Sequence, residues 1–406
     1  MKARAHIAAI VGVALLLVAA HALWSQAFAD RALSRGDAEA ALRYDPAQPE
    51  ALLRLAEAEA RTGHDEAARG AVRRLLAVEP LDGRAWRVLA GIREREGRAA
   101  DAQRLYAIAV RRAPRDIRTR AWWIDHELRR RDFPAAIGHV DALVTMWPDR
   151  GAVVLPMVAR LADDPAFAAA LAQRLQRRPS WRASMLDALM DKASPAGANR
   201  VIGRLHAEGA LDRDEENRWQ DWMLRSGDWG AAYAYWASAR LRQGAVRGSL
   251  PLLDNGGFDR AVTGDGFDWH VDDVPGALLD FVPDAGAPGR VAHLQFSGRQ
   301  VSQMPLSHPL LLAPGHYRFS FRARNEGFRA ELGLAWELAC VPGGALVAID
   351  APRLRDDIRG WHAFEGGFDV PAESCLGQWL RLRNPADGPA SQVWGDLWLD
   401  DVAVSR

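Results

Sequence analysis

Residues 83–116 read GRAWRVLAGIREREGRAADAQRLYAIAVRRAPRD, and this stretch decides how the first part of the chain folds. It closes on Pro114, and prolines fall at 46, 80, 114 and 148, each 34 residues from the next. Gly63 and Gly97 keep the same step, as do Ala68, Ala102 and Ala136. A fixed step of this length is a supersecondary unit repeated along the chain. Small residues let two antiparallel helices approach, an aromatic wedges between successive hairpins, and proline stops the second helix before the next unit.

Trp86, Leu89, Ala90, Ala102, Tyr106, Ala109 and Pro114 stand where a tetratricopeptide repeat carries its bulky, small, aromatic and closing residues. The stretch therefore resembles that family. Three units run 49–82, 83–116 and 117–150, and Asp30–Tyr44 reads as a leftover second helix. The third unit departs from the pattern, with Arg131 at the turn glycine and Leu143 at a small-residue position. Beyond Pro148 the register decays. Helical spacing continues through Val153–Leu161, Phe167–Leu175, Trp181–Met190, Asn199–His206, Glu215–Leu224 and Trp229–Leu241. The expectation is one helical-repeat domain over 30–248, clearest over 49–150, closed by a degenerate cap.

The resemblance implies a concave groove, lined by the first helix of each unit, that takes a segment of a partner protein. Its positions include Glu50, Leu53, Glu57 and Glu94, with Arg84, Arg87, Arg118 and Asp125 as the chosen protein-binding residues. The plain alternative for each is a solvated charge, and for the Trp122-Trp123 pair a place in the solenoid core. The Lys/Asn clamp that some relatives use for a C-terminal carboxylate has no counterpart here.

Composition bounds the rest. The 406 residues carry 52 basic and 52 acidic side chains, which argues against a general polyanion binder. Fifty arginines against two lysines point to coding bias, which discounts any argument from arginine alone. An apolar content of 49% with 16 tryptophans excludes a disordered chain. The balance hides an asymmetry: 251–406 holds 13 basic and 21 acidic residues, whereas 1–250 holds 39 and 31. Glycine and proline also concentrate after 250. Two domains of different class follow.

Met1–Ala29 reads as an export segment. Lys2 and Arg4 precede an apolar stretch from Ile7 to Trp24, near the lower limit for a membrane span. Ala27-Phe28-Ala29 fits a small-x-small cleavage pattern, so the segment is either a retained single-pass anchor or a cleaved signal. Either way the bulk is expected in the periplasm of a bacterium, at the inner membrane if anchored. Cys340 and Cys375, 35 residues apart, are expected to pair in that oxidising compartment, the alternative being two buried thiols.

Over 249–406 the hydrophobic period falls from about 3.6 to 2, with Gly/Pro turns at short intervals. His316–Arg322 alternates aromatic and polar, and Val291–Ser297, Glu331–Cys340, Trp361–Val370, Gln378–Arg383 and Val393–Val404 read as further strands. An antiparallel two-sheet jelly roll suits them. Leu253–Asp259 followed by Trp269, then Leu312–Phe319 and Leu397–Val402, resemble the opening, central and closing strands of carbohydrate-binding modules. The fold class expected is thus α then β: N-terminal membrane helix, tetratricopeptide-like solenoid, C-terminal β-sandwich.

Pyranoses stack on exposed aromatic rings while polar side chains take their hydroxyls. Strict alternation in 378–383 turns Trp379, Arg381 and Arg383 outward, making Trp379 the leading platform. Trp394, Asp396 and Trp398 share one face of the last strand, whose direction stays open. Trp398 and Arg322 complete the glycan candidates, while Trp336 reads as core. The plain alternative for each exposed tryptophan is packing against a neighbouring loop. The jelly-roll resemblance also implies a structural calcium, with Asp259 and Asp400 as the matching carboxylates.

No phosphate-binding loop, nucleophile elbow, HExxH or dinucleotide fingerprint occurs. The doublets Asp272-Asp273, Asp356-Asp357 and Asp400-Asp401 point to opposite faces if they lie on strands, so none is a glycosidase pair. The expected function is a non-enzymatic periplasmic adaptor, docking a protein through its solenoid and a glycan through its jelly roll, near polysaccharide export or assembly. The rival is a scaffold that binds only proteins. A glycan-active enzyme with an unrecognised site stands third, and no nucleic-acid partner is expected.

Overall fold

The computed structural model describes residues 2–242, 250–287, 289–355 and 358–406, with the side chains of 2–11, 13–15, 18 and 242 outside that description. The chain divides into two compact units, Met1–Glu208 and Gly209–Arg406.

The first unit is helical. α1 (Lys2–Ser34) and α2 (Ala38–Tyr44) precede the hairpins α3 (Pro49–Thr62) with α4 (Asp65–Val78), α5 (Gly83–Arg95) with α6 (Ala99–Arg112), and α7 (Ile117–Arg130) with α8 (Phe133–Met146). Then come α9 (Gly151–Ala159), α10 (Pro165–Gln176), α11 (Arg182–Lys192) and α12 (Pro195–Ala207). The 34-residue step is visible in the turns. Gly63 and Gly97 adopt φ of 83° and 75°, and Arg131 takes the same left-handed conformation at 59°. Gln48, Asp82 and Asp116 each cap a first helix by accepting from its early backbone N–H groups. Ala68, Ala102 and Ala136 are buried where paired helices cross.

Two expectations change here. Asp30–Tyr44 is not one leftover helix, because Gly36, at φ 85°, turns the chain between the end of α1 and α2. Ala29, Ala32 and Leu33 pack with Ala41 and Ala51, so the tail of α1 serves as the first helix of a further hairpin. The membrane helix is not supported: among the described residues no helix is long and apolar enough to cross a membrane. Much of the anchor reading for 1–29 rests on side chains outside the described residues.

The second unit begins with α13 (Arg213–Ser226) and α14 (Trp229–Arg242). The 248/249 boundary read from composition lies outside the described residues, and the last hairpin belongs to the compact unit that holds the sandwich. The strands are β1 (His270–Val271), β2 (Ala277–Pro283), β3 (Arg290–Gln300), β4 (Gln303–Leu310), β5 (Gly315–Ala330), β6 (Ala335–Val341), β7 (Leu346–Ala348), β8 (His362–Val370), β9 (Gly377–Arg383) and β10 (Gln392–Ser405). They form two antiparallel sheets, β1-β4-β9-β6-β7 and β2-β3-β10-β5-β8. Between them lie Phe258, Trp269, Leu294, Tyr317, Phe319, Phe321, Trp336, Leu338, Leu380, Leu382, Leu397 and Leu399. Alternation therefore settles which side chains face outward. Glu331–Gly333, read as strand, instead form the turn into β6, and Leu334 bridges to Leu354. Cys340 and Cys375 are joined as a disulfide inside this unit.

Candidate functional site

In the helical unit, the inner sides of α3, α5 and α7 bring most of the expected groove residues together. Arg87 pairs with Glu57 and, at 2.7 Å, with Asp116, while Arg118 reaches the other Glu57 oxygen at 2.8 Å. Arg84 bridges Asp82 at 2.9 Å and Glu50 of the preceding unit at 2.8 Å. Asp125 stays outside this network and pairs with Arg129 of its own helix at 2.5 Å. Trp123 is buried, as a core reading requires. Trp122 is half-buried, stacked on Tyr106 with centroids 3.8 Å apart, and its indole N–H donates to Glu94 at 3.0 Å. Burial, then the Glu94 charge, pushes the Tyr106 hydroxyl up to about 12, so it stays neutral. The arrangement is a polar groove with an aromatic wall and carboxylates already seated on arginine.

In the sandwich, the glycan candidates divide between the two outer faces. Trp379, Arg381 and Arg383 lie on β9, in the first sheet, and Arg322 and Trp398 on β5 and β10, in the second. Trp379 is not an open platform. Trp229 meets it edge-on at 5.7 Å and His270 at 5.1 Å, leaving it half-buried. Arg383 sits 3.6 Å from Glu337, and the Arg381 guanidinium lies 5.8 Å from the Trp379 ring centroid. The reason is the hairpin: a β-carbon on Gly377 would fall 2.3 Å from the Trp229 ring, so α14 lies directly on this sheet. Phe267 packs against Trp229, Tyr233 and Trp236 and seals the join.

Trp398 is closed for a different reason. His293 of β3 stacks on it at 4.4 Å, and Arg324, on the other side of β10, brings its guanidinium 3.7 Å from the ring centroid. Only 9% of the residue is exposed. Arg324 donates to Asp284 at 2.6 Å, which also accepts from the Trp361 indole at 3.1 Å. Burial opposes the Asp284 charge, but those bonds and the Gly286 N–H hold its carboxyl below the usual range. Arg322 lies 3.3 Å from Asp401 and 5.1 Å from the Trp361 ring. Arg322 and Arg324 are thus already partnered, whereas Arg329, cross-strand from Trp394, is exposed.

The open ring is Trp394, 51% exposed. A β-carbon on Gly298 would lie 2.3 Å from it, so the indole rests on a residue that has no side chain. On the same outer face stand Ser297 and Gln295 of β3, Glu326 and Arg329 of β5, and Asp396, which accepts from His293 at 2.7 Å and Gln295 at 3.2 Å. A stacking surface beside both donors and acceptors suits hydroxyl-rich ligands. Sequence reasoning grouped Trp394 with Asp396 and Trp398 but could not orient them. The missed signal was Gly298, cross-strand from an aromatic. His293 and Trp361 carried no signal, because their partners are distant in sequence.

Asp259 and Asp400 do approach one another. A β-carbon on Gly257 would lie 3.3 Å from an Asp259 oxygen and 3.8 Å from one of Asp400. Burial, together with the charges of Asp401 and Asp259, pushes Asp400 up to about 6. Among the described residues no three His, Cys, Asp or Glu side chains gather to hold a metal ion. Calcium takes six to eight oxygens, including backbone carbonyls and water, so Asp259 and Asp400 would supply only part of its shell. Asp356-Asp357 lies outside the described residues.

Comparison with known proteins matches residues 29–92 to the tetratricopeptide repeat family. No curated protein matches the chain. Among solved structures, a CBM4 structure is 16% identical over 38% of this chain and 98% of its own, with a TM-score of 0.29. The CBM22-1 xylan-binding domain from Paenibacillus barcinonensis Xyn10C is 14% identical over 37% of this chain and 90% of its own, with a TM-score of 0.28. Pseudomonas aeruginosa pilF is 18% identical over 48% of this chain and 98% of its own, with a TM-score of 0.24. The chain is thus similar to tetratricopeptide repeats over its first hairpins, and the likeness to these structures assigns it no ligand.

Proposed function

We propose that the protein is a non-enzymatic adaptor that docks a protein partner in the groove of α3, α5 and α7 and a glycan on the outer face of β3, β10 and β5. The observation that carries the glycan half is Trp394, with its ring seated on Gly298, half exposed, beside Gln295, Ser297 and Asp396. A neutral glycan is favoured over an acidic one, because beside Trp394 the single cation Arg329 is set against two carboxylates, Glu326 and Asp396. Arg324 is held by Asp284 and Trp398, and Arg322 lies beside Asp401 and Trp361. The buried Cys340–Cys375 pair suits an oxidising compartment, and the basic-apolar N-terminus suits export to the periplasm with attachment at the inner membrane. A tether between polysaccharide and its export or assembly machinery joins these features.

The test is retention of the full chain on neutral and acidic polysaccharides, with Trp394→Ala as the comparison. Retention by neutral polymer, lost in the variant, is expected; retention unchanged by Trp394→Ala sinks the assignment. The second reading, a scaffold that binds only proteins, is favoured by the closure of both Trp379 and Trp398. It predicts no retention on any polysaccharide.

A further inference from the structure

The α13–α14 hairpin and the segment 263–265 that leads into β1 enclose a recess of about 350 Å³, all of it within the unit Gly209–Arg406. Asn217 and Gln220, three residues apart on one face of α13, line it together with Trp236 and Ala239 of α14. Gly266, at φ 55°, lets the walls close. A β-carbon there would fall 2.4 Å from the Gln220 Oε1 and 2.7 Å from the Trp236 ring.

These walls carry polar groups that the chain does not satisfy. Gln220 is 8% exposed, yet its side-chain amide has no hydrogen-bond partner among the described residues. The Asn217 amide and the indole N–H of Trp236, itself 6% exposed, have none either. Leaving such groups unpaired costs free energy, so they call for an occupant. The recess is far larger than the ~30 Å³ share of one water and within the size range of ligand pockets.

The chemistry of the lining selects the occupant. Arg240 is already held by Asp254 at 3.0 Å and Asp268 at 3.6 Å. Arg213 is set against Glu216 and Asp265, and burial, then the Asp221 charge, pushes the Asp265 carboxyl above its usual range. Charge therefore favours neither an anion nor a cation. Each unpaired amide offers a donor and an acceptor, and the indole only donates. A carboxylate would leave the amide oxygens unpaired, and an ammonium would leave the N–H groups unpaired. A hydroxyl answers both. Trp236 and Ala239 add apolar carbon for C–H groups.

We infer that this recess binds one uncharged, hydroxyl-rich ring, either a free monosaccharide or the end residue of a glycan chain. It goes beyond the glycan face built around Trp394, which belongs to the second sheet, and does not depend on it.

The test is saturation-transfer NMR of the full chain with glucose, galactose and mannose, and with their linear trisaccharides. The chain carries Trp394→Ala throughout, so that the outer face of β3, β10 and β5 adds no signal. Transfer to at least one neutral hexose, stronger than to glucuronate or glucosamine, is expected. Transfer confined to the free hexose marks a monosaccharide site, and transfer to a terminal ring of its trisaccharide marks a chain-end site. Gln220→Leu should lower the affinity about tenfold. Its thermal midpoint should hold or rise, because an unpaired buried amide gives way to an apolar group of similar volume. Ala239→Leu, a good helix former, should lower the affinity comparably by filling the recess. No transfer to any neutral sugar overturns the inference and leaves water as the occupant. Equal transfer to the charged sugars, affinity unchanged in both variants, or a clear drop in the Gln220→Leu midpoint also overturns it.

Discussion

Trp229 of α14 meets Trp379 of β9 edge-to-face, with ring centroids 5.7 Å apart. The contact seats a helix on the outer face of the first sheet, with Gly377 leaving room for the indole. Trp229 is 2% exposed, so Trp229→Ala deletes a buried aromatic that the hairpin cannot replace. The expected cost is about 3–5 kcal/mol, read as a lower urea midpoint for the unit that holds the sandwich. A loss under about 1 kcal/mol would show that the hairpin is fastened elsewhere.

Trp398 and Trp394 lie four residues apart on one face, yet their substitutions should separate. Trp398→Ala removes a ring held between His293 and Arg324 and should cost about 3 kcal/mol of stability. Trp394→Ala removes a ring that is half in solvent, and its cost should stay near 1 kcal/mol. Thermal unfolding of the two variants checks this. Equal losses would mean that Trp394 is packed as firmly as Trp398 and is no free surface.

The pattern in these two pairs explains how far the sequence could be read. The 34-residue step and the period-2 strands gave both fold classes, because turn glycines, capping aspartates and alternation are local constraints. The groove cluster of Arg87, Arg118 and Glu57 was also legible, since register alone places residues on one helix face. The glycan surface was not. Alternation correctly sent Trp379 outward, but whether an outward ring meets water depends on what packs over it. Here that is Trp229, 150 residues earlier in the chain. Likewise, nothing local to β10 reveals that Arg324 and His293 close on Trp398, or that Gly298 leaves Trp394 a seat.

The disulfide gives a prediction that does not depend on either ligand. Cys340 and Cys375 are buried and separated by 35 residues. Closing a loop of that length restricts the unfolded chain by about 4 kcal/mol in the chain-entropy account. Unfolding in urea with and without reductant should differ by that order. Identical midpoints, with thiol titration confirming full reduction, would rule the stabilisation out.

Gly97 tests the repeat turn. Its φ is 75°, and a β-carbon there would meet nothing within 4 Å. Any cost of Gly97→Ala is therefore conformational rather than steric crowding by neighbours. The left-handed backbone predicts a loss of about 1–2 kcal/mol in the helical unit. Chemical denaturation followed by helical circular dichroism measures it, and an unchanged midpoint would show that the turn relaxes to negative φ.

His308 makes the stability of the sandwich depend on pH. The ring is almost wholly buried, with Nδ1 2.8 Å from the Pro309 carbonyl and Nε2 3.1 Å from that of Asp254. A neutral imidazole has one N–H and can donate to only one of them. Burial nevertheless dominates and brings the pKa down to about 4, against the Asp268 charge and the two carbonyls, which favour protonation. An unfolded histidine titrates near 6.5. Between those values the unfolded chain binds the proton and the folded chain does not, so stability falls as pH drops from about 6.5 toward 4. The loss from this ring alone is of the order of 3 kcal/mol. In His308→Gln that component is absent, so the variant should be less stable at about pH 7 but lose less than the wild type on moving to about pH 4.5. Urea midpoints at the two pH values decide it: equal losses in both proteins would mean that His308 does not enter the folded core uncharged.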